Sequence, residues 1–139
     1  MVNWEKLAEA VKKKDLSKID LVGAEMQKAK LIGADLTEAE LDSAIMEHVS
    51  MRAVNMKFAD IRASTLDEAR IKRSSFAFAD IRECDFNNAS FKRSNFFNAS
   101  FKGAIFCGAS SDDPALSRAF KSHCKRYNPE TFKKAFPEG

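Results

Sequence analysis

Few residues in this chain are of the types that do chemistry. There are two histidines, His48 and His123, and three cysteines, Cys84, Cys107 and Cys124. A histidine acting as general base needs a hydroxyl or thiol nucleophile within hydrogen-bond reach, and the spacing places none beside either one. Cys107 and Cys124, with only His123 between them and the chain end, lack the paired ligand spacing of a zinc site. No G-x-G-x-x-G or other phosphate-cradling loop occurs. The tripeptides Asn88-Ala89-Ser90 and Asn98-Ala99-Ser100 match the glycosylation acceptor pattern, but they also fall in a wider repeat that accounts for them. The expectation is a non-catalytic protein with no metal and no cofactor. An odd cysteine count cannot close into disulfides completely, which favours reduced thiols.

Charge offers more. The net charge is +3, but residues 1–70 carry 11 basic and 13 acidic side chains while residues 71–139 carry 12 and 7. A charge-driven partner therefore approaches the C-terminal half. The opening MVNWEKLAEAVKKKD holds no apolar run of the kind a secretion signal needs. No stretch approaches the roughly 18 apolar residues of a membrane span. These features predict a cytoplasmic protein that makes no membrane contact.

The elements that position these side chains follow from one period. In FNNASFKRSNFFNASFKGAIF, phenylalanine stands at 86, 91, 96, 101 and 106. A five-residue step rotates each ring away from the last on a helix and flips it across a strand. Extended backwards, the register holds a large apolar residue at all 19 positions from Leu16 to Phe106, among them Leu36, Met46, Ile61 and Phe76. Two residues before each stands something small or β-branched, as at Ala24, Ala44, Val54, Ser64, Ser74 and Cys84. So strict a period marks a repeat array.

The units GADLT, FADIR, NASFK and KGAIF resemble the pentapeptide-repeat family, whose consensus is A(D/N)LXX, over roughly residues 14–110. The resemblance implies an all-β solenoid, a right-handed quadrilateral β-helix of about five coils with four pentapeptides to the coil. The large residue and the small one before it point inward, and the other three positions face water. Stacking at the strand spacing of roughly 4.8 Å buries an apolar column. The ends need covers. Residues 1–13 are expected to form an N-terminal capping helix, with Asn3 as its cap and Trp4, Leu7 and Val11 on one face. Residues 14–111 form the β-helix. Residues 112–139 read as a helical cap or dimerisation segment carrying Leu116, Phe120, Tyr127, Phe132 and Phe136.

With twenty residues to a coil, the outward positions sort onto four faces. One brings Phe58 beneath Phe78, with Phe97 one position away on the next coil; contiguous exposed apolar rings mark a partner-binding site. A second carries Lys30, Arg52, Arg70, Lys72, Arg73, Lys92 and Arg93, an anion-binding stripe with no interleaved aromatics. A third holds Glu25, Glu47, Asp67, Glu68 and Asp85, and the fourth alternates Asp60, Arg62, Asp80 and Arg82 as surface ion pairs.

The function expected from this pattern is a repeat scaffold for protein–protein interaction, its protein partner unidentified, with homodimerisation through the C-terminal helices as an option. The family resemblance adds an alternative, since some members mimic duplex DNA and modulate type II topoisomerases such as gyrase. Mimicry needs a strongly negative rod, and this chain is net positive. Nucleic-acid binding through the basic face is a further alternative. It is disfavoured for want of stacking side chains.

Overall fold

The computed structural model describes residues 15–114 and Ser117 of the chain. Within them the chain winds into a four-sided solenoid whose bridges all join residues 20 apart, in parallel. Three sides are ladders of single bridges: Asp15–Asp35–Asn55–Ser75–Asn95, Asp20–Glu40–Asp60–Asp80–Ser100, and Glu25–Ile45–Thr65–Asp85–Ile105. We call these sides A, B and C. The fourth, side D, is broader. Its strands β1 (Ser50–Arg52), β2 (Arg70–Lys72), β3 (Ser90–Lys92) and β4 (Ser110–Ser111) form one parallel sheet in the order β1-β2-β3-β4.

Each side is five residues long because its corner is a tight turn. Two residues after every inward apolar residue the backbone is left-handed, from Lys18 at φ 57° to Gly108 at φ 73°. Fifteen of these residues are not glycine and only four are. A left-handed L-residue costs roughly 1–2 kcal/mol, so the array stores appreciable strain. Inter-coil bonding offsets it. The left-handed residue donates its N–H to the coil above, as Lys18 does to the Thr37 carbonyl at 2.8 Å and Phe78 to Phe97 at 2.8 Å. The inward residue and the outward residue before it donate as well, Leu41 to Asp60 at 2.6 Å and Glu40 to Ile19 at 2.8 Å.

On sides A, B and C a turn bond closes each corner, such as Ala24 N–H to the Leu21 carbonyl at 3.0 Å; with φ positive at the third residue, these are type II turns. The residue before the inward one is often Asp or Asn for a related reason. Its side-chain oxygen accepts the N–H two residues on, as Asp35 does from Thr37 at 3.0 Å and Asn95 from Phe97 at 2.8 Å.

The core is one apolar column. Of the 19 inward large residues, all but Met26 are buried, and Met26 with Ala29 on the first coil is half-buried. Aromatics fill its upper end. Phe86 stacks on Phe106 and Phe76 on Phe96, each with centroids 5.1 Å apart. Phe91, Phe96, Phe101 and Phe106 bring one ring from each side of the last coil, with neighbouring centroids 5.1 to 6.3 Å apart. Four rings then span the cross-section that aliphatic side chains fill lower down.

One expectation is not reached by the described residues, and one is corrected. The capping helices over 1–13 and 112–139, with Leu116, Phe120, Tyr127, Phe132 and Phe136, lie outside the described residues. Those residues hold no helix beyond the turn in which Ser117 N–H donates to the Asp113 carbonyl at 2.8 Å. Cys84 is a free buried thiol, whereas Cys107 is disulfide-bonded, so the reading of all cysteines as reduced fails at Cys107. Among the described residues, no helix is long and apolar enough to cross a membrane.

Candidate functional site

Side A holds the largest exposed apolar side chains. Phe58 and Phe78 occupy the same left-handed corner on successive coils, both at φ 60°, with 57% and 44% of their surface exposed. Their rings stack at 4.9 Å and 10°. Phe97 is 45% exposed and meets Phe78 edge-on, with centroids 5.6 Å apart. Ala77, beside Phe78 and below Phe97 in the coil register, is buried, so the rings have a dry floor. The three rings expected to cluster therefore do so. A bulky side chain at positive φ is uncommon, and exposing two such stacked rings is unfavourable again in water.

Side D differs in backbone as well as charge. Its corners are more open: the Ala34 N–H reaches the Leu31 carbonyl only at 3.5 Å, and among the described residues no turn bond forms at Val54, Ser74 or Ser94. Serine at the small position takes over. Ser74 Oγ donates to the Lys72 carbonyl at 3.1 Å and accepts from Val54 N–H at 3.1 Å, while Ser94 Oγ donates to the Lys92 carbonyl at 3.2 Å. With its turns opened, the chain stays extended for three residues per coil.

Arg52, Lys72 and Lys92 form one column on that surface, Arg73 and Arg93 a second, and Lys30 and Arg70 share a third with Ser50, Ser90 and Ser110. Among the described residues, none of these seven cations has a carboxylate within ion-pair distance. Ile32, 51% exposed, stands below them. Asp112 closes the upper end, its carboxylate accepting the Arg93 N–H at 3.0 Å.

The acidic side is less available than its composition implied. Asp67 Oδ1 accepts the Asn87 N–H at 3.1 Å, and Glu68 sits 3.3 Å from His48 Nδ1. The left-handed column Lys28, His48, Glu68 and Asn88 borders a groove of about 480 Å³ at the edge between sides C and D, with Ser50, Arg70 and Ser90 opposite. Sequence reasoning missed this groove. Its only signal is the 20-residue spacing of that column.

Side B carries the expected ion pairs, but mostly within a coil. Arg62 grips Asp60 with both branches at 2.9 and 2.7 Å, Arg82 does the same to Asp80 at 2.8 and 2.6 Å, and Arg62 reaches Asp80 at 3.6 Å. The hydrogen bond from Arg62 holds the Asp60 carboxyl below its ordinary value against the opposing pull of burial. Among the described residues, no cluster of three or more His, Cys, Asp or Glu is placed to hold a metal ion.

A four-sided parallel solenoid with five-residue sides defines the class of protein. The chain belongs to the pentapeptide-repeat family: residues 19–57, 29–67 and 74–110 match the model of pentapeptide repeats (8 copies), more than half of the sequence. Members of this family fold as right-handed quadrilateral β-helices. The chain is similar in fold to the pentapeptide repeat protein Rfr23 from the cyanobacterium Cyanothece 51142, at 17% identity and TM-score 0.73, covering 76% of this chain and 86% of that one. It also matches HetL of Nostoc sp. strain PCC 7120, a pentapeptide repeat protein involved in heterocyst differentiation regulation, at 23% identity and TM-score 0.45, covering 79% and 47%. A trypsin-treated form of QnrB1, a plasmid-mediated fluoroquinolone resistance protein, matches at 17% identity and TM-score 0.41, covering 69% and 62%. No curated protein matches the sequence.

Proposed function

We propose that this protein is a non-catalytic scaffold that binds a protein partner through Phe58, Phe78 and Phe97. The supporting observation is the exposed aromatic stack of side A on a rigid, hydrogen-bonded frame. At 150–250 Å² per aromatic, the three exposed fractions amount to about 300 Å² of apolar surface. A stable interface buries about 800 Å² on each partner, so the rings form its dry centre and the polar residues of side A its rim. Aromatic rings held in place lose little side-chain entropy on binding, which suits them to that role.

Mimicry of DNA is not favoured by the charge. The net +3 and the unpaired cations of side D run against the negative rod that mimicry requires.

Photocross-linking tests the proposal. A Phe78→benzoylphenylalanine variant, irradiated in cells, is expected to give one adduct of defined mass. The same probe as Arg62→benzoylphenylalanine on side B is expected to give none. Adducts of equal yield at both positions would remove side A as the partner surface.

A further inference from the structure

The basic face is not explained by the aromatic patch. Six cations, Arg52, Arg70, Lys72, Arg73, Lys92 and Arg93, sit on three successive rungs of side D. Side B balances its charges with its Asp60–Arg62 and Asp80–Arg82 pairs. Side D has no such pairs among the described residues, and its cations lie on the one side whose rungs are three-residue strands. Like charges this close repel one another, so the arrangement costs stability in the free protein unless an anion meets it.

Charge density selects the anion. Three rungs at about 4.8 Å span about 10 Å, which gives roughly one cation per 2 Å of rod. An extended acidic peptide turns only alternate side chains to one face, or about one charge per 6.6 Å. Duplex DNA carries one per roughly 1.7 Å of axis over both strands and one per roughly 3.4 Å along a single facing strand, still about twice the density of the peptide. The lack of aromatics on side D removes base stacking, and with it the main attraction for single strands. It takes nothing from binding to a duplex backbone, which relies on cations, hydroxyls and backbone N–H groups. Ser50, Ser90 and Ser110, in the column of Lys30 and Arg70, supply such hydroxyls.

We infer that side D binds the sugar–phosphate backbone of double-stranded nucleic acid, independently of base sequence. The face reads charge spacing and no base edge, so affinity is modest, with Kd of about 1–100 µM at physiological salt, and strongly salt-dependent. About three phosphates of the facing strand lie within 10 Å, which gives a slope of log K against log salt of about −3, a loss of about fortyfold between 50 and 200 mM salt.

The test is fluorescence anisotropy of a labelled 20-base-pair DNA duplex with the full-length protein across that salt range. An Arg70→Glu/Arg73→Glu/Arg93→Glu variant is expected to lose binding at least thirtyfold at 50 mM salt. Glutamate already stands at the left-handed corner at Glu38, Glu68 and Glu83, so the fold accepts it there. A Lys18→Glu/Lys57→Glu/Lys102→Glu variant makes the same net charge change on sides A and B and is expected to retain most of the affinity. Equal losses in the two variants would reduce the effect to net charge and overturn the inference. So would absence of binding up to 200 µM protein at 50 mM salt. Stronger binding of a 20-residue polyglutamate peptide than of the duplex would assign the face to an acidic protein instead.

Discussion

Phe58 lies directly beneath Phe78 at the same left-handed corner on successive coils, the two rings 4.9 Å apart and within 10° of parallel. Neither ring contributes to the core, which is the separate column of inward residues behind them. Stacking adds about 0.5–1.5 kcal/mol beyond burial. Replacing Phe58 by Ser is therefore expected to lower stability by no more than about 1.5 kcal/mol, against about 3–5 kcal/mol for Phe86→Ala in the core. Urea unfolding followed by circular dichroism checks the contrast. Equal costs would show the exposed stack to be a structural support.

Side D makes a sharper test of how the extended face is built. The Oγ atoms of Ser64 and Ser74 both accept an N–H from the coil below, but the two donors differ in what they have left. Ala44 keeps its turn bond to the Leu41 carbonyl at 3.1 Å when Ser64 is shortened to alanine. Val54 has no such bond, and without Ser74 its buried N–H is orphaned. Ser74→Ala is thus expected to cost about 1–3 kcal/mol and Ser64→Ala about 1 kcal/mol or less. Chemical denaturation of the two variants measures the difference.

The corners predict the effect of glycine. Gly103→Ala sets a Cβ against the Glu83 carboxylate at φ 79°, whereas at Gly23, φ 68°, an added Cβ meets nothing within 4 Å. Gly103→Ala is expected to be the more destabilising, but by about 1 kcal/mol or less, because the exposed end of the Glu83 side chain can swing aside. Conversely, Ala63, exposed at φ 57°, gains from losing its Cβ. Relief of left-handed strain exceeds the extra backbone entropy slightly, so Ala63→Gly should be neutral or stabilising by up to about 1 kcal/mol. Thermal melts of the three variants order them.

Cys84 gives a pH prediction. Its thiol is buried against the Ile61 carbonyl, with Sγ to O of 2.7 Å, and burial pushes its pKa up to about 12 from 9.0. The folded pKa lies above the unfolded one, so the stabilisation is fully present below pH 9 and is lost as pH rises towards 12. At pH 10.5 the loss reaches about 2 kcal/mol. Cys84→Ala, which restores the residue most common at that position, is expected to flatten this stretch of the stability profile relative to the wild type. Identical slopes in the two proteins would contradict it.

Most of the fold was legible because one register sets everything. A large inward residue every fifth position, with a small one two before it, marks the repeat array, the family resemblance implies its square coil, and the Asp or Asn between them marks the corner bond. That register also placed Phe58, Phe78 and Phe97 outside. The opened turns of side D were harder to read, because Ser74 and Ser64 are the same residue at equivalent positions and differ only in what the N–H below them lacks. The acidic side was overread for a similar reason. Composition counted Asp67 as surface charge, while the backbone had engaged it in a bond to Asn87.

The most direct measurement is affinity capture with the wild type and a Phe58→Ser/Phe78→Ser/Phe97→Ser variant, followed by titration of the captured protein in purified form. Ser43 already occupies a left-handed corner and Ser17 the column of Phe97, so the variant is expected to fold, which circular dichroism verifies first. The account predicts that the purified partner binds the variant at least tenfold more weakly. Affinities equal within twofold would contradict it and return the three rings to ordinary surface.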